Sequence, residues 1–138
     1  MHYRIEEYSN YQEQEVLRLY ESVGWINYTH NPMMLKNAYA HSLKIYAAYV
    51  NDQLAGIIRS VGDGFSVVFV QDLLVDPQYQ RQGIGTSLLD RMIKEYATVY
   101  QMHLMTENTE RTISFYRSLG FTQAADLDCC AFSRYFSG

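Results

Sequence analysis

The sequence predicts an α/β domain in which one mixed, mostly antiparallel sheet is flanked by about four helices. Three observations carry that expectation. Runs of β-branched and aromatic residues alternate with segments whose apolar residues recur at helical spacing. One such run, Phe65–Val75, is apolar almost throughout and passes through Asp76-Pro77 and a glycine turn straight into a helix. The chain has 138 residues, 48% hydrophobic and 19% charged, which suits one domain with a sizeable core and is too little charge for a disordered polymer. Residues 1–138 are therefore expected to form a single domain.

Tyr3–Glu7 alternates apolar and polar side chains, a short first strand. Ser9-x-x-Gln12 reads as a capping box opening a helix with Val16, Leu17, Tyr20 and Val23 inward and Gly24 at its end. After an aromatic loop, Trp25–His30, the pair Asn31-Pro32 places an N-cap before a proline, and Leu35, Ala38, Tyr39 and Ser42 share one helical face. Lys44–Val50 and Gln53–Val61 read as strands joined by a two-residue turn at Asn51-Asp52, with Gly62-Asp63-Gly64 as the next turn. Phe65–Val75 has the composition of a strand buried on both faces, and its single charge is Asp72. From Thr86 onward Leu88, Leu89, Met92, Ile93, Tyr96 and Ala97 line one side of a helix. Gln101–Thr106 reads as a strand with His103 as a core histidine. Glu110–Leu119 is a helix with Ile113, Tyr116 and Leu119 near one stripe and Gly120 as its left-handed cap. Phe121–Ala125 and Cys129–Phe136 are expected to be the last strands, with one of the adjacent thiols Cys129 and Cys130 inside and one outside.

The net charge of −4 argues against nucleic acid or an anionic membrane surface as partner, since both need clustered Lys and Arg. No apolar run reaches the roughly 20 residues of a membrane helix and the N-terminus lacks a signal peptide's hydrophobic stretch, so a soluble cytoplasmic protein is expected. Adjacent cysteines form neither a disulfide framework nor a Cys-x-x-Cys site, and His30 and His41 have no neighbour at metal-ligand spacing, so no metal is expected. The 13 tyrosines combine apolar bodies with polar tips, and a wet aromatic-lined cleft is one use for them.

The segment with the most chemistry is Val67–Gly85. Gly83 and Gly85, just before the helix, let the backbone turn tightly and approach a ligand, while the helix start aims unpaired N–H groups outward. Phosphate or pyrophosphate is the natural guest of such a cradle. A P-loop is excluded because no Gly-Lys-Ser/Thr follows, and the dinucleotide fingerprint because Leu88 stands where its third glycine belongs.

Gln80-x-x-Gly83-x-Gly85 after a strand ending Asp72-Leu73-Leu74-Val75-Asp76-Pro77, followed by Asn108 and then Phe115-Tyr116-x-x-x-Gly120-Phe121, resembles the GNAT superfamily of acetyl-coenzyme A dependent N-acetyltransferases. The likeness runs over nearly the whole chain. It implies a GNAT-like fold with acetyl-CoA as cosubstrate, the main chain of Leu73 and Val75 pairing with the pantetheine arm and an N–H near Leu74 facing the acetyl carbonyl. It also implies that Gln80, Arg81, Gln82, Gly83, Ile84, Gly85 and Thr86 surround the pyrophosphate, that Asn108 bonds near the sulfur and that Tyr116 protonates the departing thiolate. A phenol suits that task because it is protonated at pH 7.

On the acceptor side the resemblance is partial. Polyamine-acetylating members carry Glu-Asp where this chain has Gln71-Asp72. Asp72 either orients the amine or relays its proton through water, or accepts N–H groups structurally. Trp25 and Tyr28 either wall the amine or belong to the core. The expected activity is direct transfer of an acetyl group to a primary amine in a ternary complex, the amine being small, a polyamine or an arylalkylamine. A protein or peptide N-terminus is the alternative acceptor, and a catalytically inactive CoA-binding module the alternative class. A homodimer is left open.

Overall fold

The structure, a computed structural model, describes residues 2–136, which divide into two compact units between Met105 and Thr106. The first unit holds β1 (Arg4–Glu7), α1 (Glu13–Ser22), α2 (Ile26–Thr29), α3 (Pro32–Ala40), β2 (Lys44–Val50), β3 (Gln53–Gly62), β4 (Val67–Val75), α4 (Ile84–Glu95) and β5 (Gln101–Leu104). The five strands lie in the order β1-β2-β3-β4-β5, antiparallel except for the parallel pair β4 and β5. This is the mixed, mostly antiparallel sheet that the strand spacing predicts.

Each face of the sheet carries helices. Val16, Leu19 and Tyr20 of α1 and Leu35 and Tyr39 of α3 pack with Ile45, Ala47, Ile57 and Leu74 into one cluster. The opposite face takes α4, whose Ile84 and Leu88 lie so close to Gly56 that a Cβ there would sit 3.2 Å from each. A side chain at this position would press on both, and on the Leu74 carbonyl at the same distance, so each would have to give by a few tenths of an ångström. The turn at Asn51-Asp52 has φ of 49° and 64°, the pair of left-handed residues that a type I′ hairpin needs. At the next turn Asp63 Oδ1 accepts the N–H groups of Phe65, Ser66 and Val67 at 2.8, 2.8 and 3.1 Å.

Several local expectations are corrected. No capping box forms at α1: Gln12 is the N-cap without a side-chain bond, and its N–H is taken by the Tyr8 hydroxyl at 3.0 Å, which donates to Glu15 at 2.9 Å. A buried phenol thus does the work assigned to Ser9, since Tyr8 reaches both groups from the strand end. The aromatic loop contains the short helix α2. β4 begins at Val67, and its buried residues alternate with half-buried ones and, at Gln71, an exposed one, so it is not buried throughout. His103 is exposed on β5, whose outer residues have no further strand beside them among the described residues. By contrast Asn31 caps α3 by accepting the Met34 N–H at 3.3 Å, as Asn31-Pro32 predicts.

The second unit holds α5 (Glu110–Ser118) and a 3₁₀ turn, Ala124–Leu127. Thr109 caps α5 through the Thr112 N–H, and Gly120 ends it at φ +92° with the Phe121 N–H returning to the Tyr116 carbonyl at 3.1 Å. The strands expected at Phe121–Ala125 and Cys129–Phe136 do not form. Strand propensity alone does not make a strand without a ladder and a covered face, and here Phe132 is 91% exposed and both cysteines are exposed. Among the described residues no helix is long and apolar enough to cross a membrane.

Candidate functional site

The site begins with a register shift in β4. Arg59 pairs with Asp72 and Ser60 with Val70, so Gln71 is an extra residue, a β-bulge. Arg59 and Ser60 are neighbours and face opposite sides of the sheet, which puts Val70 toward α4 and Asp72 toward α1 and α3. Pairing with β5 covers Val67 to Val70 and stops there, leaving the outer edge of β4 from Gln71 to Val75 unpaired by any strand among the described residues. The Asp76 N–H bonds the Ala55 carbonyl at 2.8 Å. Alternation from that bond turns the main chain of Leu74 toward β3 and that of Leu73 and Val75 toward the open edge. The outward amides are therefore those flanking Leu74, whose side chain is buried.

Beyond β4 the chain is shaped for close approach. Asp76 accepts the Gln78 N–H at 2.9 Å and caps the short turn Pro77–Tyr79, while the Gln80 side chain donates to the Val75 carbonyl at 3.0 Å. Arg81 at φ +66° and Gly83 at φ +87° bend the loop, and Gly83 is the N-cap of α4 without any side-chain bond to the first-turn amides. Those amides have no intrahelical acceptor and are left for an anion, with the positive end of the helix behind them. Arg81, Gln82, Gly83 and Thr86 are exposed and Gly85 half-buried, whereas the Ile84 side chain is buried against the sheet. The loop can accordingly hold a phosphate through the main chain while Ile84 anchors it from below. Tyr3 tethers it from β1's approach, its hydroxyl 2.7 Å from Ser87 Oγ.

A Cβ at Gly83 would meet nothing nearer than the Tyr3 hydroxyl at 3.6 Å, so its constraint is conformational. Gly83→Val is expected to leave the core folded, displace the left-handed turn, and weaken binding of the acetyl-CoA that the motif likeness implies by at least about tenfold, ~1.4 kcal/mol. Calorimetry on the folded variant checks this, and unchanged affinity contradicts the phosphate assignment.

On the α1 and α3 side, Trp25, Asn27, Tyr28, Gln71, Asp72 and Met105 line a cleft of about 250 Å³. Asp72, 2% exposed, is held by three donors: Arg59 Nε at 2.7 Å and the Tyr20 hydroxyl at 2.8 Å on Oδ2, and the Tyr28 hydroxyl at 3.2 Å on Oδ1. Tyr20 and Tyr39 share a hydrogen bond of 2.9 Å, and Arg59 also donates to Ser42 at 3.2 Å. Gln71, exposed on the bulge, donates to the Tyr28 hydroxyl at 3.4 Å. Burial opposes the Arg59 cation, but the Asp72 charge and hydrogen bond raise its pKa above the ordinary value. Burial first, and then nearby Tyr39 and Asp72, push the Tyr20 phenol well above its usual range; burial and Asp72 raise Tyr28 likewise. These hydroxyls are donors locked onto a carboxylate. Trp25 and Tyr28 pack on Tyr20 with ring centroids 5.9 and 5.2 Å away, so they are both part of the core edge and part of the cleft wall.

In the second unit Asn108 is exposed ahead of α5, and Tyr116 is half-buried with its ring between Phe115 and Phe121, at 5.0 and 5.9 Å. Burial raises its pKa, and a hydrogen bond with Thr106 pulls the other way. Sequence reasoning missed Arg59, Tyr20, Asn27 and Met105. For Arg59 a signal existed: it is the lone charge in the apolar run Leu54–Val61, as Asp72 is in β4, and a buried charge calls for an opposite one nearby.

A family model described as an acetyltransferase (GNAT) domain matches residues 41–123. A histone acetyltransferase of Glycine max is 31% identical over 112 residues, 75% of this chain and 48% of that protein. An uncharacterized N-acetyltransferase of Porphyra purpurea is 31% identical over 119 residues, 81% of this chain and 66% of that protein. The chain thus spans less than two thirds of the length of these curated relatives. Among solved structures, a GNAT-family acetyltransferase of Streptococcus pneumoniae superposes with a TM-score of 0.89 at 44% identity, covering 99% of this chain and 100% of that one. The ribosomal-protein-S18-alanine N-acetyltransferase of Escherichia coli, at 21% identity and TM-score 0.75 over 89% of this chain and 79% of that one, shows the shared fold alone.

Proposed function

From the fact that the chain belongs to the GNAT family of acetyltransferases, we propose that it moves the acetyl group of acetyl-CoA directly to the primary amine of a small molecule within a ternary complex. The observation that carries the acceptor side is the cleft of about 250 Å³ beside the bulge of β4, which is below the ~300–1,000 Å³ of drug-sized sites. An amine head and the first part of its chain fill such a space beside the Asp72 carboxylate. The cosubstrate side rests on the open β4 edge and on the uncapped start of α4, whose donors fit pantetheine amides and pyrophosphate respectively.

Bound acetyl-CoA supplies a thioester whose C–S bond breaks as the amine's C–N bond forms. The outward amide of Leu73 or Val75 donates to the carbonyl oxygen as charge builds on it. Gln80, Arg81, Gln82, Gly83, Gly85 and Thr86 orient the phosphates, with Ile84 contributing only its amide. Asn108 and Tyr116 take their roles from the motif likeness, Asn108 bonding near the sulfur and Tyr116 Oη giving its proton there. Asp72 acts through position: tied to Arg59, Tyr20 and Tyr28, it offers one remaining lone pair to orient the amine. The reacting amine is neutral, its extra proton having gone to water before attack; the proton its nitrogen sheds as the amide forms passes to water, and water returns one to the Tyr116 phenolate.

Thiol release from acetyl-CoA, measured against a panel of small primary amines and a peptide with a free N-terminus, tests this reading. Turnover on small amines is expected, with little on the peptide. Turnover on the peptide alone favours the N-terminal acceptor, and tight CoA binding without turnover on any acceptor favours a CoA-binding module.

A further inference from the structure

We infer that the acceptor cleft selects a monoamine with an apolar body and rejects amines carrying a second positive charge. The inference rests on the proposed acetyl transfer and narrows its substrate. Among the residues lining the cleft, Asp72 alone carries a charge, the others being Trp25, Asn27, Tyr28, Gln71 and Met105. That charge is already spent. The Arg59 guanidinium lies 2.7 Å from Oδ2, with both side chains buried, so the two form a pair with no net charge.

The carboxylate still has directional capacity. Its two oxygens offer about four acceptor positions, and three donors occupy them, two on Oδ2 and one on Oδ1. One N–H of a single amine nitrogen fits the position left on Oδ1, beside the Tyr28 hydroxyl. The rest of this lining is neutral: two aromatic rings, a thioether and the amides of Asn27 and Gln71. A hydrocarbon or aryl group leaves water at no loss there. A second ammonium gives up its hydration and finds no counter-charge.

Hexylamine and 1,5-diaminopentane separate the possibilities, since they have the same chain length and differ only in a terminal methyl or ammonium. With the native protein, kcat/KM for acetylation of hexylamine is expected to exceed that of the diamine by at least about tenfold. Gln71→Glu adds a carboxylate to the exposed wall without touching the Arg59–Asp72 pair, and should shift the ratio by about tenfold toward the diamine. Equal or better use of the diamine by the native protein, or an unchanged ratio in Gln71→Glu, overturns this inference and leaves acetyl transfer standing. Absence of turnover on both amines and on the wider amine panel overturns the acetyl-transfer reading itself.

Discussion

Tyr116→Phe is expected to lower kcat by roughly 10²- to 10⁴-fold, the usual worth of a positioned general acid, with acetyl-CoA affinity nearly unchanged. The substitution removes one hydroxyl and keeps the ring that packs between Phe115 and Phe121, so a residue serving only as packing tolerates it. The pH dependence carries a second signature. Burial raises the phenol above its ordinary value of 10.0, which keeps the proton available throughout the neutral range. Activity that depends on that proton is retained below the phenol's pKa and falls as pH rises through it, so the native enzyme loses rate only in strongly alkaline solution. The Phe variant lacks this limb. Steady-state rates across pH, with binding measured separately, check both points, and a near-normal kcat reduces Tyr116 to packing.

Arg59→Met is expected to cost about 3–5 kcal/mol of stability, because it leaves the Asp72 carboxylate buried with only neutral donors. For a chain of this size that corresponds to a fall in Tm of roughly 10 °C or more. Asp72→Asn strands the guanidinium instead and should also destabilise, and it should raise the amine KM while leaving acetyl-CoA affinity intact. Removing both charges together, Arg59→Met with Asp72→Leu, should recover much of the loss, since an apolar replacement of a buried pair is often neutral. Thermal unfolding of the three variants gives the coupling. An Arg59→Met protein that melts with the native one contradicts the view that this ion pair sets the charge of the cleft.

The elements with local signatures were legible from residues alone. Asn31-Pro32, Asn51-Asp52 and Gly120 each impose a backbone geometry that little else satisfies, and all three appear where they stand. The glycine loop was legible for the same reason. What stayed hidden depends on pairings across the sheet. Val68, Val70, Asp72 and Leu74 are all buried at even spacing, which reads as one uninterrupted face, and nothing local in Val70-Gln71-Asp72 announces that the face changes there. Ser9 and Gln12 fit a capping pattern, but Tyr8 supplies the acceptor from the end of β1. Cys129–Phe136 has apolar and aromatic residues suited to a strand, but that composition needs a neighbouring edge to become one.

The extra residue in β4 has a simple accounting. With Gln71 removed from the count, Val70 and Asp72 become consecutive and already face opposite ways, so each of Ser60 and Arg59 keeps the partner it has. The insertion is therefore neutral for topology and for who meets whom across β3 and β4. Its place is at the outer side, where pairing with β5 stops at Val70, the residue just before the bulge, and bulges bend and twist the strand that carries them. A single codon's worth of length is thus what separates a seamless five-stranded sheet from one with a slot in it.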